Sequence, residues 1–239
     1  MKFEWTEETI RFREDAAVRV QFDAAIAQHI LPFLPENAHV CDAGCGLGFL
    51  SLALAPHCRR ITAVDASSAA LAVLARNAVR MGYDNIQIVQ GDLFAQRPTP
   101  RYDAMVFCFF GHTKETLKAV RTQCKGRAIL VKRDHIEHRF AAGNQPAQRL
   151  NFQTACQELT ALHVPHTTQT FSLEMGQPFR SREEVARFFA IYGGSGAHSA
   201  MTQMEEVIKT GDLEFPYYFS ARCALGLIVL DAGEIPDLP

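Results

Sequence analysis

The stretch 40–48, Val-Cys-Asp-Ala-Gly-Cys-Gly-Leu-Gly, restricts the fold of this chain more than any other part of it. A short apolar run ends in an acid, three glycines follow at alternate positions, and residues 47–55 read as a helix. The order is strand, tight turn, helix start. Glycine lacks Cβ, so such a turn bends sharply and lets a ligand approach bare main chain. The same alternation continues downstream. Strands are expected at 39–43, 60–64, 86–89, 102–109 and 128–132, with helices at 67–81 and 113–123. Ser67 is placed to cap its helix and Gly82 to end it. Strictly alternating strands and helices imply a parallel sheet with right-handed crossovers, a doubly wound α/β fold.

The flanking regions break this rhythm. Residues 6–31 carry Ile10, Val18, Phe22, Ile26 and Ile30 near helical spacing, and Pro32 and Pro35 end the segment. Beyond the fifth strand, 151–162 reads as a helix and 167–173 as a strand. A helix over 181–192 has Ser181 at its cap and Glu184 three residues on, the capping-box spacing. Residues 192–196 form a loop, 201–210 a helix, and 217–230 one long final strand.

With 239 residues, 48% of them hydrophobic and 21% charged, the chain suits one α/β domain with additions. A net charge of -2 gives no general reason to expect a polyanionic partner. The charge is uneven, however. Between 114 and 139 eight basic residues face three acidic ones, which is either a solvated face or a surface for an acidic partner. Seven cysteines, an odd number without a C-x-x-C pair, point to reduced thiols and a cytoplasmic protein. No apolar run reaches the length of about 18 residues that a membrane helix needs. The acidic, aromatic start does not read as a leader.

The glycine spacing separates two ligand classes. A dinucleotide turn places its third glycine three positions after the second, but Phe49 stands there and the glycine comes early, at Gly48. The pattern D-x-G-x-G-x-G resembles motif I of class I S-adenosylmethionine (SAM) dependent methyltransferases. The resemblance implies a Rossmann-like, doubly wound, mostly parallel seven-stranded sheet: five parallel strands, a sixth, and an antiparallel seventh. It further implies an N-terminal helical cap (1–36) and a SAM-binding domain (37–239) with an insertion at about 193–216 over the active site. SAM is the implied cofactor. Its methionine part would lie along Gly44, Gly46 and Gly48. Asp42 would either hold the turn through its N–H groups or meet the cationic amine through water.

Two more strand ends carry acids where the family has them. Asp65, beside Ala66, would accept from both ribose hydroxyls, because a carboxylate has two acceptor oxygens. It also fits a plain helix-capping role or a nicotinamide dinucleotide. Asp92 would meet the adenine amino group and Leu93 would pack on the ring. At the fourth strand's end, Cys108 would sit beside the cofactor's amino group, although a buried thiol needs no such role. This end has no Asn/Asp-Pro-Pro-aromatic motif, which argues against methylation of exocyclic base amines.

Transfer of an already activated methyl mainly requires alignment and exclusion of water. A base is needed only where the acceptor must lose a proton. His112 and His135 follow strands on the ligand edge and are candidate bases. His135 and His138 have metal-like spacing without an evident third ligand, so no metal is expected. The expected activity is methyl transfer to O or N of a small-molecule acceptor, with nucleic acid and membrane not expected as partners. An RNA- or protein-directed methyltransferase using residues 114–139, a non-catalytic SAM-binding protein, and a nicotinamide-dependent oxidoreductase are the alternatives.

Overall fold

The computed structural model describes residues 5–134, 151–192 and 204–237. A seven-stranded sheet forms its centre. The strands are β1 (His39–Ala43), β2 (Arg60–Asp65), β3 (Ile86–Gln90), β4 (Tyr102–Cys108), β5 (Cys124–Arg133), β6 (Thr167–Glu174) and, last in the chain, β10 (Arg222–Asp231). Their spatial order is β3-β2-β1-β4-β5-β10-β6. The first five are parallel, and β10 runs antiparallel to both β5 and β6. The expected architecture, including the antiparallel seventh strand, is therefore present. The sheet reverses order beside β1, and in open α/β sheets that switch point opens a crevice at the strand ends.

Helices cover both faces: α3 (Phe49–Leu54), α4 (Ser68–Met81), α5 (Thr113–Gln123) and α6 (Phe152–Ala161). Alternate residues of the central strands enter two separate cores. Val40, Ala104, Val106, Ile129 and Val131 join one, and Cys41, Ala43, Met105, Phe107 and Leu130 join the other. Strands covered on both faces read as unbroken apolar runs, which is why β4 was legible. Ser67 caps α4, and Gly82 ends it in the left-handed conformation, as expected. The first crossover helix begins at Phe49, with Gly48 (φ +76°) as its N-cap.

A second layer sits on the sheet's C-terminal edge. It contains α1 (Glu7–Val20) and α2 (Phe22–Ile30), separated by Gln21 at φ 54°, and α7 (Arg182–Tyr192). A three-stranded sheet joins them: β7 (Gln177–Phe179), β9 (Tyr217–Phe219) and β8 (Ile208–Lys209). Phe12 of α1 meets Phe179 and Phe188 edge-on, within one cluster that includes Phe189 and Phe219. Arg180 binds Asp15, Arg11 binds Glu184, and the Gln177 amide donates to the Phe12 carbonyl at 3.0 Å. The N-terminal helix and the segment between β6 and β10 thus pack as one body.

Three local expectations are corrected here. Of the expected 201–210 helix only Met204 and Glu205 are helical among the described residues, and the chain then turns into β8, where a hairpin closes through Thr210 N–H to the Pro216 carbonyl (2.9 Å). The single final strand is split at Ser220 and Ala221. The Glu174 carboxylate accepts from the Tyr218 hydroxyl, the Ser220 hydroxyl and the Ala221 N–H, and so bends the chain from one sheet to the other. Only half of the 181/184 capping box forms. Ser181 Oγ accepts the Glu184 N–H at 3.3 Å, but the Glu184 carboxylate turns to the Arg180 N–H and the Arg11 guanidinium. Residues 193–203 of the expected insertion, and its loop, lie outside the described residues.

Candidate functional site

The glycine turn joins β1 to α3 and has three left-handed glycines, Gly44 (φ 68°), Gly46 (φ 53°) and Gly48 (φ 76°). Each is constrained by different surroundings. A Cβ on Gly44 would lie 2.3 Å from the Phe110 ring, and one on Gly48 2.4 Å from Leu74. A Cβ on Gly46 would meet only Trp5, at 3.5 Å. Two glycines are therefore required by packing, and the middle one has room for a methyl in ordinary contact with Trp5.

The turn is held from β2. The Val64 carbonyl accepts from the N–H groups of Gly44 (2.8 Å) and Cys45 (3.1 Å). Asp65 Oδ2 accepts the Gly46 N–H at 2.9 Å, and its Oδ1 accepts the Ser67 N–H at 2.8 Å. The carboxylate thus ties the turn to the start of α4. Each oxygen still has a lone pair for a ligand hydroxyl. Asp42 does not fix the turn. It is buried and accepts the Ser51 hydroxyl at 2.5 Å, and burial pushes its carboxyl up to about 6.

The turn opens into a cavity of about 620 Å³. Of the residues singled out in the sequence, Asp42, Gly44, Gly46, Gly48, Asp65 and Cys108 line it. Burial raises the Cys108 thiol well above its ordinary value, so it stays protonated. Ala66, Asp92, Leu93 and His112 lie at the same sheet edge but outside this lining. Asp92 is exposed and its Oδ1 accepts the Phe94 N–H at 2.9 Å, while Leu93 is buried in the core. His112 is exposed at the start of α5. His135 falls outside the described residues.

Further residues line the cavity, and of these Arg13, Asp23, Gln177, Phe188, Tyr192 and Arg133 escaped the sequence reading. Phe12, Arg13, Phe22 and Asp23 come from α1 and α2, Gln177, Phe188 and Tyr192 from the second layer, and Phe109 and Arg133 from the ends of β4 and β5. Arg13 grips Asp23 through one nitrogen at 2.9 and 2.7 Å. Phe109 adopts φ 56°, a left-handed conformation that is strained for an aromatic residue. Its ring is 39% exposed and is stacked near Phe22 at 6.3 Å. A sequence signal did exist here, in the run of aromatics at 107–110 just past an apolar strand.

Among the described residues of the basic stretch, two turn inward. Lys132 points into the core opposite the cavity, is 2% exposed and donates to the Gly111 carbonyl at 3.0 Å. Burial pulls its ammonium down to about 8. Lys125 pairs with Asp103 at 2.7 Å and Arg121 with Asp237, while Arg133 faces the cavity.

Residues 40–128 match the methyltransferase domain family. This span holds the glycine turn and the acids at the ends of β2 and β3. Over these residues the chain is similar to methyltransferases. Among curated proteins it is similar to a probable cobalt-precorrin-6B C(15)-methyltransferase (decarboxylating) of Methanothermobacter thermautotrophicus, with 32% identity over 111 residues. That match takes in 45% of this chain and 58% of the relative's length. Among solved structures, a putative methyltransferase from Bacillus halodurans has a TM-score of 0.55 at 15% identity, covering 88% of this chain and 98% of that one. A coclaurine N-methyltransferase bound to N-methylheliamine and SAH has a TM-score of 0.54 at 13% identity, covering 87% and 71%. These structural likenesses concern the fold. No helix among the described residues is long and apolar enough to cross a membrane.

Proposed function

We propose that this methyltransferase binds SAM along the glycine turn and transfers its methyl group to O or N of a small molecule held under the α1–α2 layer. The observation that carries this reading is the room at Gly46, with Asp65 hydrogen-bonded beside it and an apolar cavity continuing past Cys108 to the end of β5. When bound, SAM supplies a methyl group activated on a sulfonium, which an acceptor lone pair takes in line.

The protein's part is to bind, align and keep out water. The Asp65 oxygens, already oriented by two backbone N–H groups, accept from the ribose hydroxyls. The bare Gly46 backbone lets the methionine part lie close. Asp42 offers a carboxylate to a cationic amine above its raised pKa. Asp92 and Leu93 serve the adenine end, beyond the cavity proper. Phe12, Phe22 and Tyr192 cover the reaction space from above and exclude water.

A small acceptor is favoured over RNA by the second layer across the cavity, and of the described basic residues of 114–134 Lys132 is buried and Lys125 and Arg121 are paired with acids. A nicotinamide reading is disfavoured by Phe49. Calorimetric titration with SAM, SAH and NAD tests the cofactor, and turnover of methyl-labelled SAM against a metabolite panel tests catalysis. Binding of NAD without SAM would overturn the proposal, and SAM binding without turnover on any acceptor would favour a binding protein.

A further inference from the structure

Arg133 ends β5 on the cavity face, next to Phe109 just past β4. Its guanidinium lies 5.3 Å from the Phe109 ring centroid and shares a hydrogen bond with the Cys223 thiol. Its Nε is buried and has no hydrogen-bond partner. No carboxylate among the described residues forms an ion pair with it. Asp23, which shares the cavity, is already gripped by Arg13. A partly buried cation without a counter-charge is costly, and desolvation accordingly lowers the Arg133 pKa. A cavity that retains such a group has a use for it when a ligand supplies the anion.

Topology shows which ligand would do so. The cofactor positions run from β2 and β1 toward β4. Arg133 stands one strand further, on β5, two strand spacings or about 10 Å from the glycine turn. That is the acceptor side. Beside it the strained Phe109 and its neighbour Phe22 offer an apolar wall.

Resting on the methyltransferase reading, we propose that Arg133 is the counter-ion for a carboxylate on the methyl acceptor, so that the substrates are small acids with an apolar or aromatic body. A guanidinium fork matches a carboxylate in geometry. A single carboxylate is favoured over a phosphate dianion because Asp23 and Asp42 share the cavity and Arg133 is the one cation there, among the described residues, without an acidic partner.

The test uses the full chain saturated with SAH. Benzoate, 2-naphthoate and octanoate are titrated alongside their primary amides, with phenyl phosphate as a further arm. At least one acid should bind about tenfold or more tightly than its amide, the range expected for a charge-assisted pair. R133M should erase that gap, R133K should keep part of it, and the affinity for SAH should stay within about twofold of wild type in both. Equal or undetectable binding of every acid and amide pair overturns the proposal. So does a parallel loss of SAH affinity in R133M, which would place Arg133 in the cofactor site, or tighter binding of phenyl phosphate than of the acids. If R133M does not fold, the wild-type acid-to-amide ratio and R133K still decide. Failure of wild type to bind SAH is a separate result and falls on the methyltransferase reading itself.

Discussion

Replacing each turn glycine with alanine separates what the fold needs from what a ligand needs. At Gly46 the added methyl meets only Trp5, at 3.5 Å, an ordinary contact. The cost to the free protein is then that of a left-handed residue with a Cβ, about 1–2 kcal/mol, reduced by about 0.4–1 kcal/mol because alanine restricts the unfolded chain. For a protein of this size a net cost of about 1 kcal/mol lowers Tm by roughly 2–4 °C. At Gly44 and Gly48 the methyl would sit 2.3 Å from Phe110 and 2.4 Å from Leu74, both packed side chains. Overpacking adds about 1–3 kcal/mol to the backbone strain there. If SAM lies on the turn, the Gly46→Ala methyl occupies its space and affinity should fall by roughly 10- to 100-fold, about 1.4–2.8 kcal/mol. Thermal melts and calorimetry on the three variants give the pattern. Gly46→Ala should lose mainly binding, while Gly44→Ala and Gly48→Ala should lose mainly stability. A folded Gly46→Ala protein with wild-type affinity for SAM would refute the close-approach argument.

Asp65→Ala should weaken SAM by about 1.5–3 kcal/mol, the range for lost charged hydrogen bonds; calorimetry showing a loss of only a few tenths would remove Asp65 from the ribose site. Asp42, raised to about 6 by burial, should weaken SAM binding as pH falls through 6 and its carboxylate takes a proton. Its effect on stability has the opposite sign, because a raised carboxyl favours the fold below about pH 4 and this contribution is lost as pH rises through about 6. A SAM affinity that stays flat from pH 8 to 5 would argue against contact with the cofactor's amine. Lys132, lowered to about 8, is deprotonated in the fold while the unfolded chain still holds its proton up to about 10.5. Stability of wild type relative to Lys132→Met should therefore rise between these pH values, by on the order of 3 kcal/mol at most; parallel denaturation curves at pH 7.5 and 10 would contradict it.

The central sheet was legible because its signals are local. Unbroken apolar runs mark the buried strands, Ser67 and Gly82 mark the ends of α4, and the alternation of elements dictates parallel pairing. The second layer was not legible in the same way. Its strands are two or three residues long, and β8 exists only because β9 offers an edge to pair with. Glu184 suited a capping box locally, yet the Arg180 N–H just before the helix and the distant Arg11 guanidinium claim its carboxylate.

Side-chain direction at the strand ends was the other gap. Lys132 and Arg133 are neighbours in a basic run and looked alike in sequence. The two-residue period of β5 sends Lys132 into the core and Arg133 to the cavity. Residues 40–48, with acids at the ends of the next two strands, made the turn that opens into the cavity legible, because backbone turn geometry depends on near neighbours. The far side of the cavity was decided only in three dimensions. There β4, β5, the two N-terminal helices and a layer from the far end of the chain converge, and no local spacing encodes which of their side chains meet.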